Sequence, residues 1–327
     1  MKNALSAAMV LIGTFIGAGF ASGQEVIQYF GIFGNYGVAG ILISCLLLSA
    51  FTYCTVDNVN FLGEREYINK ICKFKWVNLL INGYMALIYC TMITAFGETI
   101  NQIFFIPKIY GVIFINMATI IVLYFGSTAV MQFNCVVTPL IILGILFTLF
   151  TNNTVSVFNN FATSAVIYTS YNVITLPFVI VGMKNIVNTK RKSVICSVVF
   201  GAVICVLALC MFALLKGVDG ESVQIPLLSV TSGNYVYVMV IILALSMVTT
   251  AVANGYGLIN NLPLSKNIVI FFLFVFGNFF STFKFSFIVK YLYMGFGYMG
   301  LYVIINNFCI FIKNREKPRK IEIINNK

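Results

Sequence analysis

Long apolar stretches follow one another along the chain with few charges inside them. A window of about 19 residues places ten, near 4–30, 37–57, 77–105, 110–126, 130–150, 161–186, 193–215, 235–260, 267–281 and 285–311. Runs of this length read as helices that cross a bilayer, so the pattern predicts an all-α polytopic membrane protein with ten transmembrane helices. Two connections exceed ten residues. Asn58–Lys75 carries both charge signs and predicts a short amphipathic helix at the interface, and Gly217–Gly233 holds Asp219, Glu221 and Pro226. The second reads equally as a lid or as a plain connection.

Two segments interrupt their own pattern. In Gly13-Thr-Phe-Ile-Gly-Ala-Gly-Phe-Ala-Ser-Gly-Gln-Glu25, each glycine costs about 1 kcal/mol against alanine in a helix. An acid inside such a run is costly and marks function. Backbone leaves the helical ladder within a membrane only where protein or a wet cavity receives it. The stretch therefore predicts a broken first helix lining a binding site. The sixth segment is interrupted likewise at Tyr168-Thr-Ser-Tyr-Asn-Val-Ile-Thr-Leu-Pro177, where proline removes a backbone donor. Discontinuous helices at positions one and six of ten predict a 5+5 inverted repeat, about 4–150 and 161–311. One transmembrane domain then covers 1–312, followed by a basic tail, 313–327. The symmetry rests on position, since the halves share no evident residue identity.

Composition agrees: 60% of the 327 residues are hydrophobic and 9% charged, where soluble domains are about a quarter charged. The formal charge of +11 is distributed as the positive-inside rule expects. With the N-terminus inside, that side holds Lys2, Arg65, Lys70, Lys73, Lys75, Lys184, Lys190, Arg191, Lys192, Lys266 and the tail cations Lys313, Arg315, Lys317, Arg319, Lys320 and Lys327. The other side receives Lys108, Lys216, Lys284 and Lys290. Both termini are expected in the cytoplasm, and the tail against anionic lipid. The bilayer, not nucleic acid, is the expected partner of this charge, and no obligate protein partner is evident. Richness in Ile, Asn, Lys and Phe suggests a low-GC bacterium and its cytoplasmic membrane. Lys2 before an apolar run resembles a signal peptide, but the pattern resumes after Glu25, so the segment is expected to stay.

Nine scattered cysteines without C-x-x-C spacing, and no histidine, argue against a disulfide framework, a zinc site and any other cofactor. An enzyme is disfavoured, because Glu25 and Glu98 offer only a carboxylate pair. No filter-like loop suggests a channel.

Ile16-Gly-Ala-Gly-Phe20 resembles the broken first helix of the amino acid–polyamine–organocation transporter superfamily, whose members share the LeuT-like fold. The longer string Gly13–Glu25 looks most like the bacterial permease family called YkvI. The resemblance implies a sodium-coupled secondary transporter of a small amino acid or similar zwitterion. It implies a sodium site from the carbonyls of Gly13 and Ile16 with Ser246, Thr249 and Thr250, since a hard cation takes several oxygens. Proton-coupled members of that superfamily can place a fifth-helix lysine near this ion site, and 130–150 contains none, so the resemblance favours sodium over proton coupling. The anionic end of the substrate is expected by Gly17 and on the amides of Gly19, Phe20 and Ala21. Tyr168, Ser170 and Asn172 would line the pocket, and Tyr89 would close it. Glu25 binds a substrate amine, carries a proton or pairs with a base. Glu98 and Lys290 stand at suitable depths, and Glu25–Lys290 would make an outer gate.

Blander readings stand beside these. Gly13-x-x-x-Gly17 and Gly19-x-x-x-Gly23 also serve close helix packing, and Thr249–Thr250 serve equally to bond their own helix. A proton-coupled permease, or a sensor that kept a transporter fold, remains the alternative.

Overall fold

The computed structural model describes residues 2–125, 132, 136–143, 161–215, 218, 225–231, 233 and 235–325, apart from the side chains of 2, 286, 290, 294 and 317–325. Every regular element among them is helical. The first segment divides into α1 (Lys2–Phe15), α2 (Ala18–Ala21) and α3 (Gln24–Tyr29). After a 3₁₀ turn, Gly31–Phe33, come α4 (Tyr36–Leu62), α5 (Glu64–Ile71), α6 (Lys75–Phe104) and α7 (Lys108–Phe125). α8 spans 136–143. The sixth segment divides into α9 (Phe161–Val173) and α10 (Leu176–Val181). α11 (Lys190–Leu214), α12 (Pro226–Ser229), α13 (Tyr235–Asn261) and α14 (Lys266–Phe280) follow. The last stretch runs through α15 (Phe285–Phe287), a π turn, Ile288–Tyr293, and α16 (Met294–Asn325). The tail from Lys313 thus continues a helix rather than leaving it.

Among the described residues six helices are long and apolar enough to cross a membrane, and α1 and α14 are shorter apolar helices. This is a multi-pass membrane protein. The expected fifth segment lies largely outside the described residues, as do Asp219 and Glu221 of the connection Gly217–Gly233. The amphipathic helix expected between Asn58 and Lys75 is α5, with Glu64 and Glu66 in its first turn and Lys70 in its last, signs that suit the helix dipole.

Local chemistry sets the boundaries. α6 ends at Phe105, in the left-handed region at φ 55°, with Pro107 two residues on, unable to continue the helix. Gly63, at φ 86°, turns the chain from α4 into α5. The most apolar windows of α6 and α13 are 78% and 67% buried, that of α7 only 33%. α6 and α13, packed along each other, are therefore central, while α7 and α14 present Phe114, Tyr124, Phe271 and Phe279 outward, as lipid-facing helices do. α16 lies along α9 and α11 along α4. Small residues permit the close approaches: Gly201 faces Ser49, and Gly300 lies against the Ser170 carbonyl.

A buried polar network ties α5 to the bundle. Asn58 Nδ2 donates to the backbone and side-chain oxygens of Asn307 (both 3.0 Å), and Tyr67 donates to Asn307 Oδ1 (2.9 Å). Asn307 Nδ2 donates to Thr55 (2.9 Å), and Asn314 Nδ2 to Asn58 Oδ1 (3.0 Å).

Candidate functional site

The two interrupted helices break beside each other, and a small cavity lies between the breaks. The first break begins after Phe15, where Gly17 is extended (φ −88°, ψ −173°). A second kink follows at Gly23, whose φ of 83° favours glycine. In the sixth segment the ladder lapses at Ile174–Thr175, and Pro177 sits in the first turn of α10, where its missing N–H costs nothing. Thr14, Phe15, Gly17 and Glu25 line the cavity from one break, and Tyr171, Asn172, Thr175 and Leu176 from the other. α6 adds Tyr84, Ile88 and Met92, α13 adds Thr250 and Asn254, and the π turn adds Tyr293.

Breaking the first helix frees carbonyls, and α13 meets them. The Thr250 hydroxyl lies 3.1 Å from the Ile16 oxygen, 3.3 Å from that of Gly13 and 3.5 Å from that of Thr14. One hydroxyl donates one proton, so two carbonyls at a time face its oxygen without a hydrogen. Such a cluster of four oxygens suits a hard cation. Of the five expected sodium ligands, the structure brings together Gly13, Ile16 and Thr250. Ser246 and Thr249 are buried on the same helix, their hydroxyls donating to Leu243 and Ser246 carbonyls at 2.8 Å.

Glu25 is 4% exposed, and its Oε2 accepts from the Tyr171 hydroxyl at 2.8 Å. Its other oxygen lies against Gly19. Among the described residues no lysine or arginine pairs with it, the two ion pairs being Lys70–Glu66 and Lys108–Glu98. Around Tyr171 the rings of Tyr29, Tyr168 and Tyr293 have centroids 5.3–5.6 Å away.

The other expected residues divide between the cavity and its supports. Gly17 packs on Met92 and Thr250. The Ala18 amide donates to Met92 Sδ at 3.0 Å, and the Ala21 amide to the Gly17 carbonyl at 2.8 Å, so Ala21 has no free N–H for a substrate. Phe20 is buried against Phe15. Asn172 lines the cavity with Nδ2 bonded to the Tyr168 carbonyl. Tyr168 stands behind, its ring between Phe15, Tyr29 and Phe30. Ser170 bonds its own helix at Val166 and abuts α16 at Gly300. Tyr89, expected as the closing residue, faces away. It donates to Asn116 Oδ1 at 2.7 Å, and Asn116 in turn bonds the Phe274 carbonyl. Its neighbours Ile88 and Met92 face the cavity instead. Glu98 pairs with Lys108 at 3.4 Å, away from the gate expected of it. Lys290 falls on the π turn, and its side chain lies outside the described residues.

Tyr84, Ile88, Met92, Tyr171, Asn254 and Tyr293 are among the lining residues that the sequence did not single out. Asn254 had a signal, a polar residue one turn beyond Thr250 on an apolar helix. Tyr171 lay inside the stretch already noted, and the others had none.

No family model matches the chain. It is similar to the uncharacterized protein YyaD of Bacillus subtilis (strain 168), at 26% identity over 321 residues, 91% of this chain and 94% of that one. It is also similar to the uncharacterized membrane protein YkvI of the same organism, at 27% over 148 residues, 43% of this chain and 42% of that one. Solved structures that resemble it in fold include three transporters. Mhp1, a nucleobase-cation-symport-1 family transporter with bromovinylhydantoin bound, superposes with a TM-score of 0.56 at 11% identity, covering 97% of this chain and 93% of that one. A Na⁺-coupled sialic acid symporter gives 0.59 at 10%, covering 93% and 79%. A manganese transporter of Eremococcus coleocola gives 0.55 at 10%, covering 94% and 75%. The chain has the LeuT-like fold of these neighbours.

Proposed function

We propose that the protein is a secondary active transporter, coupled to sodium, that moves a small amino-acid-like molecule across a bacterial cytoplasmic membrane by alternating access. The observation that carries this reading is the Thr250 hydroxyl among the carbonyls of Gly13, Thr14 and Ile16, beside a cavity lined by both broken helices. The residues there fit a sodium ion: three carbonyl oxygens and a hydroxyl, with Ser246 and Thr249 adjacent on α13. An ion held there would tie α13 to the first break, and so couple ion binding to the shape of the cavity that Gly17 and Glu25 line. This is the work that broken helices at a repeat interface perform in transporters. The reading includes a 5+5 repeat, both termini in the cytoplasm, and common descent with YyaD and YkvI. The structural neighbours are transporters, which favours transport over catalysis.

Glu25 favours a second reading, proton coupling, because it is a buried acid at the cavity with a hydroxyl as its partner. The two separate by experiment. Purified protein in potassium chloride, titrated with sodium, is expected to melt at rising temperature as RT ln(1 + [L]/Kd) requires. Thr250→Ala is expected to weaken sodium about tenfold or more, roughly 1.4 kcal/mol. Proteoliposomes are expected to accumulate a labelled amino acid only under an inward sodium gradient. Uptake driven by a pH gradient in sodium-free buffer would replace sodium with the proton. Absence of uptake under either gradient would leave a sensor.

A further inference from the structure

Two polar side chains at the cavity carry unspent acceptor capacity. Asn254, 3% exposed, donates Nδ2 back to the Thr250 carbonyl at 2.9 Å. That bond turns Oδ1 away from the helix ladder, and among the described residues Oδ1 is a buried acceptor with no donor. Among the described residues Glu25 has one hydrogen-bond donor, Tyr171, on one of its two oxygens, and no cationic partner. The hydroxyls of Tyr171 and Thr14 and one N–H of Asn172 are spent on protein acceptors, while Tyr84, Thr175 and Tyr293 add hydroxyl-bearing side chains to the wall. A buried carboxylate without a cationic partner is costly, and so is an unmet amide oxygen. A ligand that brings positive charge and several N–H groups relieves both costs at once. The walls suit the same ligand, because Tyr84, Tyr171 and Tyr293 border the cavity and aromatic faces attract cations.

An anionic group would meet the Glu25 carboxylate, which lies against Gly19 in α2.

We infer that the cavity recognises a primary ammonium, held between Glu25 and Asn254 Oδ1, so that its ligands are small amines whether or not they carry a carboxylate. This rests on the reading of the cavity as the substrate site and narrows its substrate class. Glu25 and Asn254 are then the specificity-determining residues, and Thr250 belongs to the ion.

The test uses the full-length protein in detergent with sodium chloride and two sets of compounds sharing a carbon skeleton. Ethylamine, alanine and propionate form one set, and isobutylamine, valine and isovalerate the other. Amines and amino acids are expected to raise the melting temperature of wild-type protein, and the carboxylates to leave it unchanged. Glu25→Gln is expected to abolish the shift from the amines, and Asn254→Leu to weaken it about tenfold. A shift from propionate or isovalerate, or none from either amine, overturns the inference on wild-type protein alone, whatever the variants do. A Glu25→Gln protein that melts as wild type without ligand and keeps the full amine shift overturns it too. Failure of the transport reading looks different. Amine binding without sodium- or proton-driven uptake removes transport and keeps the ammonium site, whereas uptake of a carboxylate with no amine keeps transport and removes the site.

Discussion

Glycines at two positions do different work, and what a methyl group would meet distinguishes them. At Gly19 a Cβ would collide with the end of the Glu25 side chain, which can swing. At Gly300 it would collide with the backbone of Ser170, which moves only if α16 and α9 part. Gly19→Ala is therefore expected to fold and melt nearly as wild type but to push Glu25 from Tyr171 and lose most of the amine-induced shift. Gly300→Ala is expected to cost about 1–3 kcal/mol, as overpacking in a filled core does, seen as a lower melting temperature with or without ligand. Tyr89 supplies a contrast. Tyr89→Phe strips Asn116 Oδ1 of its donor and is expected to cost about 1–3 kcal/mol. Since Tyr89 is absent from the cavity wall, ligand affinity should hold. A loss of affinity without a loss of stability would return Tyr89 to the pocket.

Elements are held by polar anchors as much as by apolar packing. α5 has one buried face, Tyr67 and Ile71, and its hold on the bundle passes through Asn307 of α16. Burial pushes the Tyr67 hydroxyl well above its ordinary range, so it stays protonated and donates to Asn307 Oδ1 throughout the physiological range. Asn306 adds a second tie, donating to the Lys70 carbonyl at 2.9 Å. Replacing Asn307 with leucine leaves Tyr67, Asn58 and Thr55 short of partners. A buried polar group left unmet costs about 1–3 kcal/mol. Asn307→Leu is thus expected to lower the melting temperature and to speed amide exchange across 64–71 far more than across α6. Uniform acceleration would mean that the network supports the whole bundle instead. α5 itself was legible, because mixed charges between two apolar runs give an amphipathic pattern. Its anchor was not, since one asparagine in an apolar segment gives no sign of which helix it faces.

Across the whole molecule, the same division governs what the sequence discloses. The breaks at Gly17 and Ile174–Thr175 were legible because glycine and proline act on their own backbone. The phase of α6 was not. A helix buried nearly all round carries no polar stripe to orient it, so Tyr89 could be placed at the cavity when Ile88 and Met92 hold that position. Nor could spacing reveal that the chain between α11 and α13 returns to the first segment. There the Leu227 amide of α12 donates to the Ser22 carbonyl at 2.9 Å, Ile225 and Leu227 are wholly buried, and Leu215 packs on Gly23. Both contacts fall on the kink just before Glu25. Opening α12 would therefore loosen backbone next to the carboxylate. Local opening sets the exchange rate of the amides it frees, and an acid buried at position 227 would favour opening. Leu227→Asp is therefore expected to accelerate exchange in 225–231 and, with it, in 18–24, while α9 keeps its protection. Faster exchange in 225–231 alone would make α12 a plain connection, with the first kink held by Gly23 and the packing beneath it.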